Sequence, residues 1–243
     1  MSAPILADYW KSVEWFCGAC RKALRDAFVS YIVVGSLSVG DAVPGWSDVD
    51  GFLVVRDAAE HVRVAVARLT LEAARRFPFL ASDRGSRFSA IVASREEVLH
   101  GGGEVSFLDR WDIKRHGIVA CGEDLPTMVD EPALDRGWLD RHLDWMTAFL
   151  AKEREAPARW VAVNSIGFVL SGARVAVLKR GMYAKCKDEL AAAFTRLYPE
   201  RSPILERAMQ ARRKWPVILE RPGEIAALYE EATDFLQWVR SLP

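Results

Sequence analysis

Net charge is the first thing this 243-residue chain lacks: 33 Lys and Arg offset 33 Asp and Glu. No global field therefore draws it to nucleic acid or to an anionic membrane. A nucleic-acid partner would need a local basic patch, and none with a recognisable spacing occurs. Cysteine is scarce too. Cys17, Cys20, Cys121 and Cys186 make no disulfide framework. Cys17-Gly-Ala-Cys20 has the CxxC spacing, but no second ligand pair follows at zinc-ribbon distance. It also falls within a helical pattern, so it reads as core rather than as a metal or redox site. No run of about eighteen apolar residues marks a membrane span, and no signal peptide is read at the N-terminus. The expectation is a reduced, cytoplasmic protein. What the chain has is apolar substance: 51% hydrophobic residues and nine Trp. That is enough for a sizeable core in one large domain or two small ones.

One stretch concentrates the chemistry. An apolar β-branched run, Tyr31-Ile32-Val33-Val34, ends in Gly35-Ser36. An eleven-residue connection, Leu37 to Ser47, carries Gly40, Pro44 and Gly45 and reads as a loop. Asp48-Val49-Asp50 follows, then Gly51 and a second apolar run to Val55. Residues i and i+2 of a strand share a face, so Asp48 and Asp50 would project side by side. Two like charges that close are costly unless a cation sits between them. Oxygen ligands on a rigid strand suit Mg²⁺, which takes one or two carboxylates with substrate phosphates and water. Gly35 lets the backbone approach a phosphate, and the Ser36 N–H and hydroxyl can donate to it.

This pattern resembles the signature of the DNA polymerase β-like nucleotidyltransferase superfamily: apolar-Gly-Ser, a spacer of about ten residues, then Asp-apolar-Asp. The resemblance implies Asp48 and Asp50 as catalytic metal ligands, with Gly35, Ser36 and Ser47 in the nucleotide site. Gly51 departs from it, standing where the family usually has a bulky apolar residue, which points to crowding behind the strand. The family also usually carries a third carboxylate on a later strand, to complete the metal site or take the acceptor's proton. Here that strand, Phe88 to Ser94, has no Asp or Glu. Candidates around it are Asp83, Glu96, Glu97, Glu104 and Asp109. A shifted strand at 104–108 would present Glu104. Either the base is displaced, or the site is weakened or dead.

The periodicity predicts helices over 5–28 and from Asp57, a plausible N-cap, to about Arg76, with Pro78 as the stop. Strands are predicted at 31–34, 50–55, 88–94 and, after a short helix from 107, at 117–121. His116 reads as a solvated or capping residue. Beyond about residue 130 strand signals vanish. Helices fit at 134–154, 158–179, 185–197, 203–214 and 222–241, separated by Pro199, Pro203, Pro216 and Pro222.

This second half resembles that of streptomycin/spectinomycin-type aminoglycoside adenylyltransferases: Asn164 opening a helix with Leu170 and Arg174, then Lys179-Arg180-Gly181 and Tyr183-Ala184-Lys185. In that family a lysine after the Gly turn reaches the nucleotide phosphates. Lys185 matches best, with Lys187 the alternative. The fold implied is α+β: a nucleotidyltransferase domain over 1–130, a mixed sheet flanked by helices, then a helical bundle over 131–243.

The reaction implied is Mg²⁺-dependent transfer of AMP from ATP to a hydroxyl of a small molecule such as an aminoglycoside. The alternatives are a protein or RNA acceptor, or a degenerate nucleotidyltransferase fold without turnover. A polycationic acceptor would need an acidic, aromatic-walled cleft. Trp138, Asp140, Asp144, Trp145, Glu153 and Glu155 are the residues on offer, with the acids at 140 and 144 on one helical face.

Overall fold

The computed structural model describes residues 5–82, 85–215 and 217–243. Two compact units divide at 133/134. The first is a four-stranded sheet between helices. Strands β1 (Phe28–Val34), β2 (Val49–Val55), β5 (Phe88–Ser94) and β6 (Ile118–Gly122) lie in the order β5-β2-β1-β6. β1 runs antiparallel to both β2 and β6, and β2 runs parallel to β5, so the sheet is mixed. A two-stranded ribbon, β3 (Ala81–Ser82) and β4 (Gly85–Ser86), precedes β5.

Central strands read as continuous apolar runs because both faces are covered. On one face Tyr31, Val33, Val49 and Leu53 pack with Tyr9, Phe16 and Cys20 of α1 (Leu6–Leu24) and Val62 and Val66 of α3 (Glu60–Arg76). On the other, Ile32, Val34, Phe52 and Val54 meet Val98 and Leu99 of α4 (Arg95–His100) and Ile113 of α5 (Phe107–His116). The Cys17-x-x-Cys20 pair lies on the buried side of α1. Burial and Cys121 push the Cys20 thiol up to about 12.

Several boundaries differ from the sequence pattern. α1 ends at Leu24, and β1 begins three residues earlier than expected, at Phe28. Asp57 caps nothing: α3 starts at Glu60 behind Ala59. The cause is that Arg56 N–H still donates to Ala27 C=O (2.9 Å), holding the chain extended past the end of β2. No strand forms at 104–108. Gly102 and Val105 bridge a turn, and α5 begins at Phe107. His116 is the last residue of α5 and is half-buried. α4 was not expected. Its signal, Ser94-x-x-Glu97, is a capping box in the sequence, but the helix is too short to show periodicity.

The second unit is helical: α6 (Arg136–Lys152), α7 (Ala158–Lys179), α8 (Lys187–Leu197), α9 (Ser202–Arg213) and α10 (Pro222–Ser241). α7 is long and apolar enough to cross a membrane by length and composition, yet 67% of its most apolar window is buried. It is the core helix of the bundle. At Gly172 it lies so close to α10 that a Cβ would stand 2.9 Å from Leu236 and 3.1 Å from Phe235. Pro216, read above as a helix separator, lies outside the described residues.

Candidate active site

Two of the first unit's candidate residues, Gly35 and Asp50, meet where β1 ends. β1 delivers its chain into Gly35, whose φ of +69° opens the four-residue helical turn α2 (Gly35–Ser38). That left-handed backbone is one glycine adopts freely. The register pairs Val34 with Asp50 across β1 and β2. As a result the Asp50 carboxylate lies against Gly35: a Cβ there would stand 3.1 Å from Asp50 Oδ2. Gly35 and Asp50, fifteen positions apart in the sequence, are thus in contact.

The turn is held by its own backbone, with Asp41 N–H donating to Ser36 C=O (2.8 Å) and Ser38 Oγ donating to Gly35 C=O (3.0 Å). Val49 and Leu53 pack on the α1/α3 face, and Gly51 abuts Tyr31 there, so Asp50 between them faces the other way. Gly51 is explained by that contact. A Cβ would stand 2.6 Å from Tyr31 Oη and 2.8 Å from the Ile32 carbonyl oxygen. The crowding expected behind the strand is the phenol of Tyr31.

Ser47 is buried, and its hydroxyl accepts from Val43 N–H (2.9 Å). It shapes the loop that brings the chain to Asp48 instead of standing open to solvent. Asp48 precedes β2 and is exposed, yet its carboxyl is pushed up to about 6. Burial is the larger cause, opposed by the nearby Arg87 guanidinium. The group is open to water on one side and hemmed in by protein on the others.

Arg87 was not foreseen. Its carbonyl accepts from Val49 N–H (2.9 Å), its own N–H donates to Leu80 C=O (2.7 Å), and its guanidinium donates to Gly45 C=O. Tyr9 Oη accepts from Gly45 N–H (3.0 Å) and feels both Arg87 and Asp48. Only the parallel β2–β5 register reveals this neighbourhood, because it sets Phe88 beside Val49.

The third carboxylate has a clear outcome for most candidates. Glu97 closes the capping box of α4, accepting from Ser94 N–H (2.6 Å). Asp109 does the same for α5, accepting from the Ser106 N–H (2.9 Å) and hydroxyl (2.6 Å). Glu96 pairs with His100 at 3.5 Å. Glu104 lines a groove beside β5. Asp83 lies outside the described residues. Among the described residues no group of three His, Cys, Asp or Glu is disposed to hold a metal.

In the second unit Lys185 precedes α8, and its N–H donates to Glu189 Oε2 (2.8 Å). Lys185, Lys187, Arg174 and Ser171 line a cavity of about 150 Å³. Arg174 lies over the Tyr183 ring at 5.4 Å and donates to its hydroxyl at 3.3 Å. The acids expected to meet an acceptor are engaged otherwise. Asp140 pairs with Lys179 (3.1 Å) and Arg240 (3.2 Å), and Asp144 with Arg240 (2.9 Å). They share a helix face, as expected, but that face is tied to α7 and α10. Trp138 and Trp145 stack on either side of His142, centroids 4.6 and 5.6 Å apart, and Trp145 is 53% exposed.

No protein-family profile and no curated protein sequence matches the chain. Its structure is similar to the crystal structure of spectinomycin adenyltransferase AAD(9) from Enterococcus faecialis with ATP and spectinomycin. The TM-score is 0.62 at 12% identity, over 94% of this chain and 99% of that one. This chain has an adenyltransferase-like fold. At that identity the likeness concerns the path of the backbone, and the side chains described above must carry any statement about chemistry.

Proposed function

We propose that the chain is a nucleotidyltransferase that moves AMP from ATP to a hydroxyl of a small molecule. The observation that carries this reading is the contact of Asp50 with Gly35 at the end of β1, within an adenyltransferase-like fold. Gly35 and Ser36 would receive the triphosphate through backbone N–H groups and the serine hydroxyl. Asp48 and Asp50 would hold Mg²⁺. The donor set fits an ion that arrives with the nucleotide: two carboxylates leave the remaining positions to phosphate oxygens and water. Asp48, crowded enough to be raised to about 6, is a carboxylate whose charged form a cation would relieve. When bound, the ion neutralises charge on the phosphate oxygens.

The chain's own residues supply positioning. Ser47 and Arg87, tied to Val43 and Gly45, hold the loop that aims Asp48. In the second unit Lys185, with Lys187 and Arg174 around the same cavity, is the lysine that would bind phosphate oxygens. The acceptor is a small hydroxyl compound. Asp140 and Asp144 are ion-paired with Arg240 at the surface of the bundle, and half-buried Trp138 and exposed Trp145 are the aromatic candidates for its recognition.

A second reading, nucleotide binding without turnover, is favoured by one observation: Glu97 and Asp109 are engaged in helix caps. The test is pyrophosphate release from ATP with Mg²⁺ and a panel of hydroxyl compounds, beside an Asp48→Ala/Asp50→Ala variant. Acceptor-dependent release by the wild type alone supports transfer. ATP binding with no release on any acceptor supports the second reading.

A further inference from the structure

β5 is an outer strand. β2 pairs along one side of it and, among the described residues, no strand pairs along the other. The bond from Val49 N–H to Arg87 C=O and the parallel register fix which backbone groups face β2: those of residues 87, 89, 91 and 93. The groups of Phe88, Ala90 and Val92 point outward. Two of these are satisfied within the chain. Ser86 Oγ accepts from Phe88 N–H (2.9 Å), and the Arg63 guanidinium donates to Val92 C=O (3.3 Å). Phe88 C=O, both groups of Ala90 and Val92 N–H have no partner among the described residues. β5 contains no charge and no proline, the usual devices that keep an edge from pairing. A groove of about 470 Å³ runs beside it, walled by Arg63, Val66, Ala67 and Thr70 of α3 and by Glu104.

We propose that this edge is a homodimer interface, with β5 pairing antiparallel to β5 of a second copy about a two-fold axis at Ala90. In that register each Ala90 faces its own counterpart and the two exchange both hydrogen bonds. Phe88 faces Val92 of the second copy, so each free Val92 N–H meets a free Phe88 C=O. The two groups already satisfied, Phe88 N–H and Val92 C=O, are the ones that would otherwise have bonded each other. The pattern of free and occupied groups maps onto itself. A two-fold axis at residue 89 or 91 sets a free group against one already taken, which is why a second copy fits better than an arbitrary extended peptide.

Two further features agree. Among the described residues the groove is lined by one cation, Arg63, and one anion, Glu104, so two copies bring opposite charges. α3, which walls the groove, exposes Val64 (42%) and Leu71 (46%). With Ala67 between them they form an apolar stripe at helical spacing.

The test is sedimentation velocity on the full chain across the micromolar range, with an Ala90→Pro variant. Proline is tolerated on an edge where the lost N–H points outward, so the β2–β5 ladder should survive. The wild type should sediment as a dimer at the upper concentrations, and Ala90→Pro as a folded monomer. Should Ala90→Pro fail to fold, hydrogen exchange decides on the wild type. The Ala90 and Val92 amides should then exchange more slowly as concentration rises. A wild type that stays monomeric, a dimer that persists in Ala90→Pro, or exchange independent of concentration would each overturn the proposal.

Discussion

A methyl group on Gly51 would overlap the Tyr31 hydroxyl and the Ile32 carbonyl, so this glycine is a requirement of packing behind Asp50. Gly51→Val should lower stability by about 1–3 kcal/mol through overpacking, read as a shifted denaturant midpoint. Tyr31→Phe should do the opposite. Tyr31 Oη is buried and, among the described residues, makes no hydrogen bond. Removing it should be neutral or stabilising by about 1 kcal/mol, and a clear loss of stability would refute the reading of that pocket.

Asp48 sets the pH behaviour. Its folded pKa, about 6, lies above its ordinary value of 3.8. The folded state therefore holds the proton more tightly than the unfolded one, and the ionised carboxylate opposes folding above about pH 6. Relative to Asp48→Asn, the wild type should gain stability as pH falls from about 6 towards 4. Mg²⁺-dependent ATP binding should weaken over the same interval, because the ion needs the carboxylate ionised. Parallel pH profiles for the two proteins would contradict this.

At the scale of elements, the same residue types serve caps and sites. Glu97 and Asp109 resemble candidate bases in the sequence because they are acids near the sheet, yet each receives the N–H of its own N-cap serine. Ser94→Ala and Ser106→Ala should each cost about 1 kcal/mol of stability. Glu97→Gln and Asp109→Asn should leave any turnover intact, and abolition by either would restore it as a base.

The four strands of the sheet were legible as apolar runs and the helical half because α6 to α10 keep helical spacing, whereas the two-residue strands β3 and β4 were too short to show a pattern. The contact of Gly35 with Asp50 was not read from the sequence, which set Asp48 beside Asp50; it follows from the β1–β2 register. Arg87 was not legible either, because its place beside Val49 depends on a parallel register that no local pattern encodes. Nor was the pairing of Asp140 and Asp144 with Arg240, which lies about a hundred residues further along the chain.

At the scale of the whole molecule, the two units hold two groups of candidate residues: a turn with carboxylates in one, a small basic cavity in the other. The claim on which the functional reading depends is that Asp48 and Asp50, beside Gly35 and Ser36, bind a divalent ion together with a triphosphate. Calorimetric titration of ATP into the protein, with and without Mg²⁺, measures this without any knowledge of the acceptor. The account expects the wild type to bind far more tightly with Mg²⁺, and Asp48→Ala/Asp50→Ala to lose at least about tenfold in affinity, roughly 1.4 kcal/mol. Equal binding by both proteins, or binding indifferent to the metal, would contradict it.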